Sequence, residues 1–140
     1  MNEYVAILRI GGVLLVTVPA GLNDTTLVFL QEKLSQQIVK KAAHGVVIDI
    51  TAVDTVDTFV GRRLSLIASV TVLLGARPVL VGIRPAVAVT LVQLGLELDD
   101  IAKARDLDAG LRMLSARDAA SAGSAGSQGS WTRGPALPLS

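Results

Sequence analysis

Residues that could take part in chemistry are concentrated in segment 54–61, which reads DTVDTFVG. A loop rich in Thr and Asp meets a helical pattern in this segment, so either Asp57 or Thr58 can be the N-cap of the helix. In both cases the Thr58 hydroxyl lies beside unpaired backbone N–H groups at the positive end of the helix dipole. A phosphate on that hydroxyl would be well accommodated, and its charge of about −1.5 to −2 would change the surface electrostatics more than the fold.

The residues that follow Thr58 are compatible with such a phosphate. Arg62 lies one helical turn farther along and could pair with it, while Gly61 has no side chain and would leave a bare surface that a partner can approach closely. The plain alternative is that Asp57 and Thr58 form an ordinary cap and that Arg62 and Arg63 lie on a solvated face. The residues alone leave both interpretations open.

The other residue patterns argue against an enzyme. The sequence has neither a P-loop nor a G-x-G-x-x-G motif after a strand, and it has no cysteine. Its one histidine, His44, has no identifiable catalytic partner, so a polar loop residue is the better interpretation. Asp49 follows a strand pattern as the phosphorylated Asp of a receiver domain would, but segment 10–12 (IGG) lacks the acidic pair that such a domain needs for its metal ion. We therefore predict no catalysis, no metal site and no cofactor.

Composition narrows the remaining function classes. The chain has 140 residues, 51% of them hydrophobic and 18% charged, with a mean hydropathy of +0.56, so it can bury a core and fold as one domain. Aromatic residues make up 3% and the net charge is +1, which provides neither the stacking platforms nor the basic field that nucleic acid or an anionic membrane requires. Charge-free segment 10–23 is broken by Gly and Pro and is shorter than the about 20 apolar residues of a membrane span.

Hydrophobic periodicity places segment 54–61 inside an alternating α/β chain. It predicts strands at 4–10, 13–18, 46–48, 79–81 and about 101–104, and helices that start near 24, 58, 85 and 106. The order β-β-α-β-α-β-α-β-α indicates a mixed, mainly parallel sheet with an antiparallel N-terminal edge and about four helices. The second helix, 58–74, is apolar nearly all round, so we expect neighbouring chains to cover part of it. Four of its polar residues form one narrow stripe: Thr58, Arg62, Ser65 and Ser69.

The C-terminal part of the chain has a different composition. From about residue 116 the sequence becomes rich in Ala, Gly and Ser (SAGSAGSQGS) and then continues as WTRGPALPLS. Such a composition is typical of a flexible coil. We therefore predict a domain over 1–116 and a disordered tail over 117–140, in which Trp131 is either without a role or an anchor for a partner.

Segment 46–59 (VVIDITAVDTVDTF) resembles the signature of STAS domains (sulfate transporter and anti-sigma factor antagonist), in which a V-x-I-D strand leads to a D-[ST] pair that opens the second helix. The resemblance covers about residues 2–115, and the predicted element order is that of the family. Within the family, the segment is most similar to the RsbS-like scaffold branch of the bacterial stressosome.

This resemblance implies a cytoplasmic, non-catalytic phosphoprotein. Proteins of this branch self-associate and co-assemble with RsbR-type STAS sensor proteins into a large complex that sequesters an RsbT-type switch kinase. The kinase phosphorylates the D-[ST] hydroxyl and leaves, and a cognate phosphatase resets the complex. The resemblance places the acceptor at Thr58, where the branch typically has Ser, and the kinase-binding residues at Asp57, Thr58, Phe59, Gly61 and Arg62.

Two other functions within the family remain open on the sequence. The first is a simple anti-sigma factor antagonist, which uses the same hydroxyl and binds one anti-sigma kinase. The second is an anion- or nucleotide-binding STAS module, whose helix terminus holds the ligand.

Overall fold

The structure, a computed structural model, describes residues 6–21, 23–95 and 101–115. The elements in these ranges are β1 (Ala6–Ile10), β2 (Val13–Thr17), α1 (Asp24–Lys41), β3 (Gly45–Asp49), α2 (Thr58–Leu73), β4 (Arg77–Val81), α3 (Pro85–Gln93), β5 (Ala102–Ala104) and α4 (107–115). The chain forms two compact units, Met1–Gly110 and Leu111–Ser140, and the described part of the second unit is helical. The disordered tail predicted over 117–140 lies outside the described residues, as do the first two residues of the strand predicted over 4–10.

The five strands form one sheet in the order β1-β2-β3-β4-β5. β1 and β2 are antiparallel and are joined by the turn at Gly11, whose φ of 61° is a left-handed conformation that suits glycine. All the other neighbours are parallel, because a helix crosses over between each of them. The predicted mixed α/β sheet with an antiparallel N-terminal edge is therefore confirmed.

Helix α1 begins and ends where local chemistry predicts. The Asn23 side chain caps its first turn by accepting a hydrogen bond of 2.8 Å from the backbone N–H of Thr26. The helix ends in a left-handed residue, Ala42, directly after Lys40 and Lys41, whose charges favour the negative end of the helix dipole. Its buried face consists of Leu27, Leu30, Leu34 and Ile38.

The two faces of the sheet are covered differently. The main core lies on the face where α1, α2 and α3 pack, and side chains such as Val16, Ile48 and Leu80 point into it. The opposite face presents Val47, Val79 and Val81 toward Gly110, where an added Cβ would lie 3.0 Å from Val81 Cγ1. Because β2, β3 and β4 are parallel, the loops that lead from them into α1, α2 and α3 leave the sheet at the same edge, where these strands end.

Candidate phosphorylation site at the start of α2

The loop between β3 and α2 is held by alternating buried aliphatic residues. Ile50, Val53 and Val56 are buried in the core, and the residues between them are exposed. The N–H of Ile50 donates to the carbonyl of Val81 at 3.0 Å, and the N–H of Val53 donates back to the carbonyl of Ile50 at 2.9 Å. The apolar anchors therefore fix the loop on the sheet and turn its polar side chains toward solvent.

Asp57 is the N-cap of α2. Its backbone is extended, with φ −100° and ψ −179°, and its Oδ1 accepts a hydrogen bond of 2.8 Å from the N–H of Val60. Its carbonyl accepts the first helical hydrogen bond, 3.0 Å from the N–H of Gly61. Of the two caps that the sequence allows, the structure has Asp57, and Thr58 is the first residue of the helix.

Removing this cap is expected to lower the free energy of unfolding. We predict that Asp57→Ala lowers the free energy of unfolding by about 1 kcal/mol, because one N–H in the first turn, that of Val60, loses its acceptor. Asp57→Asn is expected to retain most of the stabilisation that the cap provides. Chemical denaturation of the purified protein measures the difference. The matched control is Asp54→Ala, which removes an exposed carboxylate from the same loop that caps no helix. Equal losses in the two variants would mean that the cap does not stabilise α2.

Thr58 is exposed at the point where the loop becomes a helix. Phe59, with 39% of its surface exposed, and Arg62, which is exposed one turn farther on, lie on the same end of α2. The structure thus brings Asp57, Thr58, Phe59 and Arg62 together at one surface. A hydroxyl in this position can be reached by another protein, and a phosphate on it would be within the range of Arg62 on the helical i, i+4 spacing.

Gly61 differs from the sequence prediction. It is buried, so the prediction that it leaves a bare surface for a partner is wrong. At 100° per residue Gly61 lies within about 60° of Leu64 and Ala68, both of which face the core. Gly61 therefore lies on the core-facing side of α2.

Arg63 also differs from the solvated side chain that the sequence allows. Its side chain is 22% exposed and reaches across to α1, where Nη1 donates to Gln31 Oε1 at 3.1 Å and Nη2 lies 3.7 Å from Asp24 Oδ1. The guanidinium carbon stands 5.5 Å from the centre of the Phe59 ring. Arg63 therefore ties the start of α2 to the start of α1, whereas Arg62 remains on the solvated face. Local sequence contains no signal for a contact across 39 residues, so it could not be predicted.

A cavity of about 310 Å³ lies beside the N-terminus of α2. It is lined by Pro19, Gly21, Val53, Asp54, Thr55, Asp57 and Val60. Two of these residues are carboxylates and none is basic, so a free anion in the cavity would meet like charge at both. Pro19 and Gly21 come from the β2–α1 loop, and Val53 is one of the buried anchors of the β3–α2 loop. Sequence patterns did not indicate that these residues lie near Thr58.

The remaining candidates for chemistry lie elsewhere or are absent from the described residues. His44 and the Thr58 loop lie at opposite ends of β3, so the histidine cannot act on the Thr58 hydroxyl. In ranges 6–21, 23–95 and 101–115 there is no group of three His, Cys, Asp or Glu side chains that could hold a metal ion. No helix in the same ranges has the length and hydropathy needed to span a membrane.

The family model for the STAS domain matches residues 4–106. The chain belongs to the STAS domain family. Among curated relatives, RsbT co-antagonist protein RsbRA of Bacillus subtilis is 36% identical over 83 residues, which are 59% of this chain. The match spans only 30% of RsbRA, so this STAS domain corresponds to a minor part of that relative. The uncharacterized protein YezB of Bacillus subtilis is 33% identical over 86 residues, which cover 61% of this chain and 88% of YezB.

Solved structures place this STAS domain in one branch of the family. A serine-to-glutamate variant of Moorella thermoacetica RsbS is 38% identical, with a TM-score of 0.75, over 84% of this chain and 99% of RsbS. A chain from the molecular architecture of the stressosome is 39% identical, with a TM-score of 0.74, over 81% of this chain and 98% of its own length. The anti-sigma factor antagonist SpoIIAA, at 9% identity and a TM-score of 0.58, shares the fold alone. The chain is thus a stressosome-type STAS domain.

Proposed function

We propose that this STAS domain is a non-catalytic scaffold of a cytoplasmic stressosome-like complex. In this proposal it self-associates and co-assembles with RsbR-type STAS proteins through residues 1–116, and the complex sequesters an RsbT-type switch kinase. The kinase transfers a phosphate to Thr58 and is released, and a cognate phosphatase restores the original state. Asp57, Phe59 and Arg62 form the kinase-binding surface around the acceptor.

The similarity to RsbS across 99% of its length is the observation that carries the proposal. It is joined by the position of Thr58, which is exposed directly after a capping Asp at the start of α2. Homology to RsbRA, RsbRB and RsbRC supports partners that carry a related domain.

The charges around Thr58 support release by electrostatic repulsion. Asp54 and Asp57 already place two carboxylates beside Thr58, and a phosphate would add a charge of about −1.5 to −2 within the same loop and helix turn. Arg62 can neutralise part of that charge without leaving its own helix. A kinase that binds the unmodified surface would therefore meet a more negative one after transfer, and its affinity would fall.

Phosphorylation by a cognate RsbT-type kinase tests the proposal directly. After incubation with the kinase and ATP, the intact mass is expected to rise by one phosphate, and fragmentation is expected to locate that phosphate on Thr58. A chain that stays unmodified by an active cognate kinase, or a phosphate on another residue, would contradict the proposal.

The size of the complex distinguishes the scaffold from the other STAS functions. With an RsbR-type partner, light scattering is expected to show a particle many times the mass of either protein. A one-to-one complex with a single kinase and no larger assembly would instead indicate a simple antagonist. A rise in melting temperature with nucleotides or inorganic anions would indicate a ligand-binding module, which the two carboxylates beside the cavity disfavour.

A further inference from the structure

Arg63 is held by residues of α1 and contacts a member of the proposed kinase-binding surface. Its Nη1 donates to Gln31 Oε1 at 3.1 Å, and its Nη2 lies 3.7 Å from Asp24 Oδ1. The guanidinium carbon is 5.5 Å from the centre of the Phe59 ring, which is within the range of a cation–π contact. The side chain of Arg63 is 22% exposed, whereas Phe59 is 39% exposed. One half-buried guanidinium thus links α1 with an exposed ring beside Thr58.

Two neighbouring lines of side chains run along the first turns of α2. Thr58 and Arg62 are four residues apart and share one line, while Phe59 and Arg63 share the next line, about 100° around the helix. Since Arg63 reaches Gln31, this second line lies on the side of the helix that faces α1. The Phe59 ring is therefore supported from the α1 side, and the hydroxyl of Thr58 stays exposed.

We propose that Arg63 is a positioning residue for the kinase reaction, because it holds the Phe59 ring in the orientation that the kinase binds. An exposed aromatic side chain that changes rotamer freely loses this freedom when a partner binds, and the loss weakens binding. Arg63 removes part of the loss in advance, since its guanidinium stands over the ring and is itself fixed by Gln31. Arginine suits this role better than lysine, because a planar guanidinium can cover a ring and donate hydrogen bonds in its own plane.

This inference rests on the proposed function, because Arg63 acts on the kinase reaction only through Phe59. It adds a residue that is not itself part of the surface around the acceptor. Arg63 is turned about 140° around the helix from Thr58, so the transfer step does not use it. The contact is therefore expected to affect how tightly the kinase binds this chain and not how fast the bound phosphate is transferred.

Steady-state phosphorylation of the full chain by the cognate kinase tests the inference. Arg63→Gln is expected to raise the KM for this chain about fivefold and to change kcat by less than about twofold, because the ring loses its support and the acceptor is unchanged. Arg63→Lys keeps the charge without the planar fork and is expected to give an intermediate KM. The matched control is Arg77→Gln, which removes an exposed arginine at the start of β4 and is expected to leave both constants unchanged.

A double-mutant cycle separates positioning from a purely structural role. Phe59→Leu is expected to raise KM by itself, and adding Arg63→Gln to it is expected to have no further effect, since no ring is left to position. If Arg63 only stabilised the packing of α1 against α2, its contacts with Gln31 and Asp24 would be lost in both backgrounds. The two effects on KM would then multiply, and that result would overturn the proposal.

Changes at Gln31 test the same contact from α1 and replace Arg63→Gln if that variant does not fold. Gln31→Ala frees the guanidinium and is expected to raise KM about threefold, whereas Gln31→Glu keeps an acceptor for Arg63 and is expected to retain the wild-type KM. Equal KM values for the wild type, Arg63→Gln and Gln31→Ala would overturn this inference and leave the proposed function intact. A wild type that the kinase does not phosphorylate on Thr58, measured by intact mass and fragmentation, would overturn both.

Discussion

Thr58→Val is expected to reduce phosphate incorporation by the cognate kinase by about 100-fold or more while leaving the fold unchanged, because it replaces the acceptor oxygen with a methyl group of similar size. The side chain is exposed and contributes no cap, since Asp57 provides it. The variant should therefore melt at the wild-type temperature. Intact mass after a fixed incubation with kinase and ATP measures the loss.

The chain contains a close internal control for this experiment. Thr55 also follows an aspartate and is exposed in the same loop, but it lies before the helix and its neighbour Asp54 caps nothing. Thr55→Val is expected to accept phosphate at the wild-type rate. If Thr55→Val were not phosphorylated and Thr58→Val were, the acceptor would be Thr55, and the role proposed for the start of α2 would be wrong.

Kinase retention should follow the charge at the same position. A complex that contains Thr58→Val is expected to hold the kinase in the presence of ATP, whereas Thr58→Asp is expected to release part of it without ATP, since one carboxylate supplies less charge than a phosphate. Co-sedimentation of the kinase with the complex measures both. Equal retention by the two variants would contradict electrostatic release.

Gly82→Ala is expected to lower the free energy of unfolding by about 3 kcal/mol, the largest stability effect that we expect from a single added methyl group. Gly82 lies directly after β4 with a φ of 76°, which disfavours any side chain. An added Cβ would also overlap Thr51 Oγ1 and lie 3.0 Å from the backbone N of Thr51. Thr51 cannot easily move, because its N–H donates to Asp49 Oδ1 at 2.9 Å and its carbonyl accepts from Arg84 Nε at 2.8 Å.

A second glycine separates the two causes of this loss. Gly75 has a φ of 91°, but an added Cβ there would have nothing within 4 Å. Gly75→Ala therefore carries the backbone strain without the clash and is expected to cost about 1 kcal/mol. Urea denaturation of both variants measures the difference. If the two losses were equal, the close approach of Gly82 to Thr51 would not contribute to stability.

Much of the site could be predicted because it depends on residues close together in the sequence. A helix start requires an acceptor for its first N–H groups, so the Asp57-Thr58 pair at the head of an apolar run predicts that one of the two residues caps α2 and that the Thr58 hydroxyl lies at the helix start. The structure caps α1 and α4 in the same way, with the side chains of Asn23 and Asp106 as acceptors. The element order followed from the same kind of local evidence, since periodicity separates strands from helices within a few residues.

The sequence by itself determined the order of strands and helices, the family, and the hydroxyl that is placed at the start of α2, because each depends on short-range periodicity, caps and one local motif. Only the tertiary structure decided that Gly61 is buried, that Arg63 contacts Gln31 and Asp24, and that Gly82 approaches Thr51. Each of these facts depends on which side of a helix or loop meets a distant segment. That side is chosen when the helices dock on the sheet and bury the most apolar surface together, so no single segment encodes it.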